Sequence, residues 1–218
     1  LILTDRGIHL EQLTVHALMA VGAIHQKLSE LGLRCQCNLL VETATARDPH
    51  HFACLLGFGA TAIYPYLAYE CLYDLHQKNE IDQPKSEGHQ LGRSYRRGIR
   101  KGLFKILSKM GISTIASYRG AQLFEIIGLS DAIVETCFAG AISRLGGADW
   151  QHIASDQAVL RKRAWGQKPK RAVGGLLRYV YGDEYHAFNP DVVQHLLRAC
   201  QDCDRGQFQH YSNLVNQR

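Results

Sequence analysis

The chain has 218 residues, 46% of them hydrophobic and 21% charged, which is enough to bury the core of one ordinary domain or two small ones and excludes intrinsic disorder. Its 25 Lys and Arg against 20 Asp and Glu leave a formal charge of +5, which ordinary surface accounts for and which does not by itself call for nucleic acid. No run approaches the roughly 18 apolar residues of a membrane span, and the start lacks the charged lead, apolar core and cleavage pattern of a signal peptide, so a soluble, cytoplasmic chain with no membrane partner is expected.

Residues 1–4 form a short apolar run that predicts a buried strand. The chain starts on it with no initiator Met and no polar lead-in, and is therefore expected to be a piece of a longer polypeptide. Apolar residues at Leu13, Ala17, Val21, Ile24, Leu28 and Leu31 recur at steps of three and four, the pattern of an amphipathic helix, here ending near Gly32. A second strand is expected within 34–42, centred on 38–41, and would put Cys35 and Cys37 on one face. Asp48 followed by Pro49 is a helix start, with the Asp as N-cap and the Pro at the first helical position, and Gly57 and Gly59 close that helix. Residues 61–65 predict a third strand, 66–78 the helix after it, and 79–91 (NEIDQPKSEGHQL) a surface loop.

A long helix over 92–110 follows, with Ile99, Leu103, Ile106 and Met110 as its buried side and Gly111 as its end. The β-branched run 112–117 predicts a fourth strand, 117–120 a turn, and 121–127 another helix. Strands joined by helices of this length imply parallel pairing, right-handed crossovers and helices packed on the sheet. Farther on, 144–147 reads as a glycine turn, 150–165 as a helix, and 166–175 as a basic, glycine-bearing connection that is the best candidate for a domain junction. Asn189, Pro190 and Asp191 open another helix with Val192, Val193, Leu196, Leu197 and Cys200 as its apolar face. The expected fold class is α/β, with parallel strand-helix repeats followed by a mainly helical segment.

The cysteines, at 35, 37, 54, 71, 137, 200 and 203, form an odd, irregular set unlike a disulfide framework, which points to reduced thiols. Cys200 and Cys203 make one CxxC, but a zinc ribbon needs a second pair, so these read as structural thiols. His50 and His51 are adjacent, which on a helix turns their side chains about 100° apart and makes a shared metal difficult. Arg93, Arg97, Lys101, Lys105 and Lys109 recur at steps of four, drift about 40° per step, and wind slowly opposite Ile99 and Leu103. This stripe reads first as a solvated face, next as a contact for an acidic surface of a neighbouring domain, and least as a nucleic-acid site, because no aromatic residues interleave with the charges.

Ser117, Tyr118, Arg119 and Gly120, expected between a strand and a helix, are a candidate anion site built from backbone N–H groups and a cation. The plainer reading is that Ser117 caps the helix while Arg119 pairs with Glu125 or another carboxylate. Gly182, Asp183, Glu184, Tyr185 and His186 form a polar turn, a reading preferred over a proton-transfer site. The serine-hydrolase GxSxG and the P-loop signature are missing.

Residues 97–129 (RGIRKGLFKILSKMGISTIASYRGAQLFEIIGL) closely resemble the large (alpha) subunit of glutamate synthase, bacterial NADPH-dependent type. In the same order, so do 39–43 (LLVET), 48–53 (DPHHFA), 57–60 (GFGA), 64–67 (YPYL), 108–114 (SKMGIST) and 182–190 (GDEYHAFNP). The resemblance implies a large subunit that joins a glutaminase (glutamine amidotransferase) domain, a central domain, an FMN-binding barrel with a 3Fe-4S cluster, and a C-terminal β-helix. It further implies a small FAD-containing partner subunit that brings electrons from NADPH. The whole would convert glutamine and 2-oxoglutarate into two glutamates, passing ammonia through an internal tunnel.

On this resemblance, 1–147 is the later part of the central domain, barrel-like in part, and 148–218 the junction and the beginning of an FMN barrel that is not included. No catalytic, cofactor-binding or metal-binding residue is assigned to this chain. Leu1 stands where the glutaminase would need its N-terminal cysteine, the Met-Ser-x-Gly-type FMN segment is expected beyond Arg218, and no three cysteines are close enough for the cluster. The expected role is structural: to space the glutaminase and synthase sites, with a border on the ammonia path as a further expectation and other domains of the same subunit as partners. Two alternatives are a free-standing FMN- or phosphate-binding module at Ser117 to Gly120, and a polyanion-binding module using the basic stripe.

Overall fold

In a computed structural model of the protein, the described residues are 1–9, 11–81, 88–166, 177–182 and 184–217. The chain is mixed α/β. Strands β1 (Ile2–Thr4), β2 (Leu40–Glu42) and β3 (Ala62–Tyr64) pair in parallel in that order, with Leu3 opposite Val41 and Val41 opposite Ile63. Helices α1 (Ala17–Glu30) and α2 (Pro49–Gly57) make the two crossovers, and α3 (Tyr66–Gln77) and α4 (Gly88–Lys109) follow β3. Three-residue strands supply few ladder bonds, so packing holds the repeat. Val41 is buried with Val21 of α1, Phe52 and Leu55 of α2 and Ile99 of α4 in one apolar cluster.

Local sequence explains where these helices begin and end. α1 starts at Ala17, later than the apolar spacing from Leu13 suggests, because His16 accepts the Leu18 N–H at its ring nitrogen and Leu13 stays exposed. It ends in a left-handed Gly32 (φ 67°), with the Leu33 N–H bonded to the Leu28 carbonyl at 2.8 Å and that of Gly32 to Ser29 at 3.1 Å. The Asp48 and Pro49 start of α2 is as expected: the Asp48 carboxylate accepts the N–H groups of His50 (2.9 Å) and His51 (3.1 Å). α4 begins at Gly88, inside the expected loop, and closes at Gly111 (φ 70°). Leu107, which is 6% exposed, takes the buried position expected of Met110, which is 44% exposed.

The structure also differs from the sequence reading in four elements, and Leu1 and Ile2, expected in a buried strand, are 58% and 68% exposed. Residues 34–36 form a 3-10 turn (Arg34–Gln36), not strand, pinned by the Arg34 guanidinium, which donates to the carbonyls of Cys37 and Gly59 at 2.8 Å each and to His25 at 2.9 Å. Cys35 and Cys37 therefore share no strand face. The run 112–117 is not a strand: Thr114 accepts the Ser117 N–H and caps the short helix α5 (Ile115–Tyr118), while Ile112 and Ile115 pack on Ala53, Leu56, Leu107 and Tyr118. The expected helix at 121–127 gives way to strand β4 (Glu125–Leu129), and the expected glycine turn at 144–147 lies within strand β5 (Ile142–Ala148).

β4 and β5 pair in parallel across helix α6 (Asp131–Cys137), forming a second, two-stranded sheet with shifts of register at Ile127 and Leu129. Its core joins Ile126, Ile133, Val134, Cys137 and Phe138 to Met19 of α1. Helix α7 (Trp150–Ala164) follows, capped by Asp149. The two open sheets close no barrel among the described residues.

By its internal contacts the chain divides into two compact units, Leu1–Trp165 and Gly166–Arg218. In the second, helices α8 (Pro190–Gln201) and α9 (Arg205–Asn216) pack on one another. Asn189 caps α8 by accepting the Val192 N–H at 3.0 Å. Of the apolar face expected there, Val192 is buried, while Val193, Leu197 and Cys200 are exposed.

Candidate functional site

In parallel α/β folds, ligand sites form at the carboxyl ends of the strands. Here those ends carry Asp5 and Arg6 after β1, Thr43 and Thr45 after β2, and Tyr66 after β3, a cluster the sequence reading did not single out. The Thr43 hydroxyl donates to Asp5 at 2.6 Å, and the Ala44 N–H reaches both Asp5 oxygens at 3.1 Å. Thr43 Oγ1 also lies 3.0 Å from Thr45 Oγ1 and accepts the Thr45 N–H at 3.1 Å. Beside this, Arg6 Nε donates to Glu42, Arg6 Nη1 lies 3.5 Å from Glu70, and the guanidinium stacks 4.2 Å over the Tyr66 ring. Burial, and then a hydrogen bond to Asp5, push the Tyr66 phenol up to about 12.

Arg6 serves both Glu42 and Glu70, Asp5 is held by the neutral donors of Thr43 and Ala44, and the recess beside them, with a volume of 50 Å³, has room for about one water. The arrangement is a polar clamp that ties three strand ends together. A pH dependence follows. Hydrogen bonds from Thr4 (2.7 Å) and then Arg6 hold the Glu42 carboxyl below its usual 4.5. A carboxyl depressed in the folded state stabilises above its unfolded value, and that stability is lost as pH falls through the lower, folded one. Thermal melting should therefore drop as pH falls below about 4.5, and Glu42→Gln should lower Tm at neutral pH while flattening the drop below 4.5.

At the Ser117 to Gly120 turn the backbone donors are engaged. The N–H groups of Tyr118, Arg119 and Gly120 go to the carbonyls of Thr114, Ile115 and Gly57, and that of Ser117 to Thr114 Oγ1. No backbone cradle for a phosphate is left there, which corrects the anion-site expectation. Glu125 faces Arg144 at 3.8 Å instead of Arg119, whose Nε is buried without a hydrogen-bond partner among the described residues. Burial, and then the charges of Arg34 and Arg119, push the His25 imidazole down.

His50 and His51 stand with ring centroids 6.5 Å apart. His51 lies 3.7 Å from Asp48, and His50 lies 3.6 Å from the Cys54 thiol. No group of three or more His, Cys, Asp or Glu side chains able to hold a metal occurs among the described residues. Cys200 and Cys203 are both exposed with free thiols. Near the polar turn at 182–186, His186 packs edge-on against Tyr179 at 5.9 Å; Asp183 lies outside the described residues. Burial pushes the Cys54 and Cys137 thiols up. Thiol titration at neutral pH should therefore label the exposed Cys35, Cys71, Cys200 and Cys203 first and the buried Cys137 only on unfolding, as read by mass spectrometry of the labelled peptides.

The basic stripe lies along the outer face of α4, with Arg93, Arg97, Lys101, Lys105 and Lys109 all exposed and Ile99 buried on the opposite side. No described helix is long and apolar enough to cross a membrane.

A family model described as the glutamate synthase central domain matches residues 1–130. The chain is 38% identical over 221 aligned residues, covering 100% of it, to the NADPH glutamate synthase large chain of Bacillus subtilis. It is 42% identical over 212 to ferredoxin-dependent glutamate synthase 2 of Synechocystis, covering 91% of it, and 37% over 191 to the NADH glutamate synthase of Saccharomyces cerevisiae, covering 85%. The chain belongs to the glutamate synthase family. It spans 14% of the length of the Bacillus and Synechocystis proteins and 9% of the yeast one. Within the glutamate synthase family match lie both the clamp at the strand ends and all of α4, while α7 and the second compact unit follow it.

Proposed function

We propose that this chain is a non-catalytic, inter-domain part of a glutamate synthase, a framework that holds a glutaminase site and a synthase site at a fixed separation. One observation carries the reading: relatives named as glutamate synthases match the chain from end to end, yet it spans 14% of the Bacillus protein. In this reading 1–147 is the later central domain, and 148–218 the junction and the start of the FMN-binding domain. The larger, cytoplasmic protein converts glutamine and 2-oxoglutarate into two glutamates, and a small FAD-containing subunit supplies electrons from NADPH. The turn at Ser117 to Gly120 offers an FMN phosphate no free backbone donors, and no three cysteines come together for a 3Fe-4S cluster among the described residues. Those groups would be held by other parts of the larger protein.

The framework would also border the ammonia path, where rigidity preserves coupling. Leu107→Ala, in the cluster with Ala53, Leu56 and Tyr118, tests this in the full-length enzyme. The expected result is a fall from two glutamates formed per glutamine consumed toward one, with ammonia released to solvent. Unchanged stoichiometry in a variant that melts at a lower temperature would refute the tunnel role.

A further inference from the structure

α4 carries seven cations, Arg93, Arg96, Arg97, Arg100, Lys101, Lys105 and Lys109, and no Asp or Glu along its length. All are exposed, and none has an ion pair or hydrogen bond among the described residues. Other helices of the chain do pair their charges, Lys27 with Glu30 on α1 and Lys78 with Asp74 on α3. Like charges at steps of four oppose helix formation by about 0.2–0.5 kcal/mol per pair, so α4 keeps a self-repelling face where a simple solvated surface would mix signs.

The charges are also not uniform. Arg93, Arg96, Arg97 and Arg100 surround a recess of 300 Å³. Arg96 and Arg100 also wall a neighbouring apolar groove of 500 Å³, floored by Ile63, Ile99 and Leu103. Phe104, 60% exposed, stands at its rim with the Arg100 guanidinium 6.0 Å from the ring centroid. Guanidinium forks match carboxylates bidentately, and arginine beside aromatic residues is the composition of a protein interface core.

We infer that the arginine face of α4 and the adjoining groove are a docking surface for an acidic segment, carrying an apolar anchor side chain, from elsewhere in the same larger polypeptide. Charge complementarity selects the acidic partner and the groove selects the anchor. A nucleic acid would need a series of stacking platforms along the stripe, and α4 exposes Phe104 alone among its described aromatic residues, since Tyr95 is packed against Tyr69 at 5.5 Å and bonded to the Arg47 carbonyl. The inference rests on the framework reading above and names the surface through which this part would be held.

Zero-length carbodiimide cross-linking of the full-length protein, read by mass spectrometry, tests it. Lys101 and Lys105 should link to Asp or Glu residues outside this 218-residue stretch. The triple variant Arg93→Glu, Arg97→Glu, Arg100→Glu should cut the yield roughly tenfold, the Gln series should cut it less, and reversing to Lys the acidic residues beside the linked ones, with the linked carboxylates kept, should restore it. Lysines that acetylate as fast as free surface lysines, links confined to the stretch itself, links to a separate protein, or nuclease-sensitive protection would each overturn the inference. Glutamate formation by the same preparation separates the two readings: coupled turnover with an open α4 overturns the docking surface alone, and cross-links without any turnover overturn the framework reading alone.

Discussion

Gly22→Ala is expected to cost about 3 kcal/mol or more, because α1 and α6 approach so closely that a methyl group has nowhere to go. A Cβ at Gly22 would stand 1.9 Å from the Cys137 carbonyl oxygen and 3.4 Å from the Phe138 ring. The obstruction is backbone, which cannot rotate aside as a side chain can. Relief requires the helices to separate, and that would open the cluster of Met19, Ile133 and Val134. Gly98→Ala supplies the contrast: that position lies on the exposed side of α4, where an added Cβ would meet nothing within 4 Å beyond its own stretch of helix, so alanine there should stabilise by about 0.5–1 kcal/mol through helix propensity alone. Urea unfolding of the two variants checks the pair, and a Gly22→Ala protein as stable as the parent would refute the α1–α6 packing.

Asp5→Ala should cost about 2–3 kcal/mol by a different route. The substitution removes the acceptor of the Thr43 hydroxyl and the Ala44 N–H, and Thr43 is 1% exposed, so the only replacement at hand is a water in the adjoining 50 Å³ recess. The upward push of Asp5 on the Tyr66 phenol is lost at the same time. Asp5→Asn keeps one acceptor oxygen and should recover part of the loss. The measurement is the midpoint of denaturation for both variants, together with spectrophotometric titration of Tyr66, whose phenol should ionise closer to its ordinary value of 10.0 once the aspartate is gone.

The two predictions differ in how far sequence could have led to them. Gly22 is one of many glycines, and only the crossing of α1 over α6 shows which of them has no room. Asp5, Thr43 and Tyr66 lie far apart in the chain and become neighbours because β1, β2 and β3 run parallel and end on one side. A rule was available, since residues just past predicted parallel strands gather at one edge. The same rule points to Ser117 to Gly120, where the expected strand does not exist. Thr114 and the short helix after it explain why: the cap is local, but Ile112 and Ile115 look like strand residues until they are seen packed on Leu107 and Tyr118.

Sequence alone determined the helices that carry their own start and stop signals, such as Asp48 with Pro49 at the head of α2, Gly32 and Gly111 after α1 and α4, and Asn189 before α8. It also determined the family, because ordered stretches of identity survive without any knowledge of the fold. Only the tertiary structure decided β4 and β5, whose glycines read locally as breakers. A Cβ at Gly147 would meet the Gly128 carbonyl oxygen at 2.5 Å, so glycine is there to let two strands approach. The physical reason is range: helix caps act within four residues, whereas strand pairing, a polar clamp and a close helix crossing are made by residues that meet only after the chain has folded.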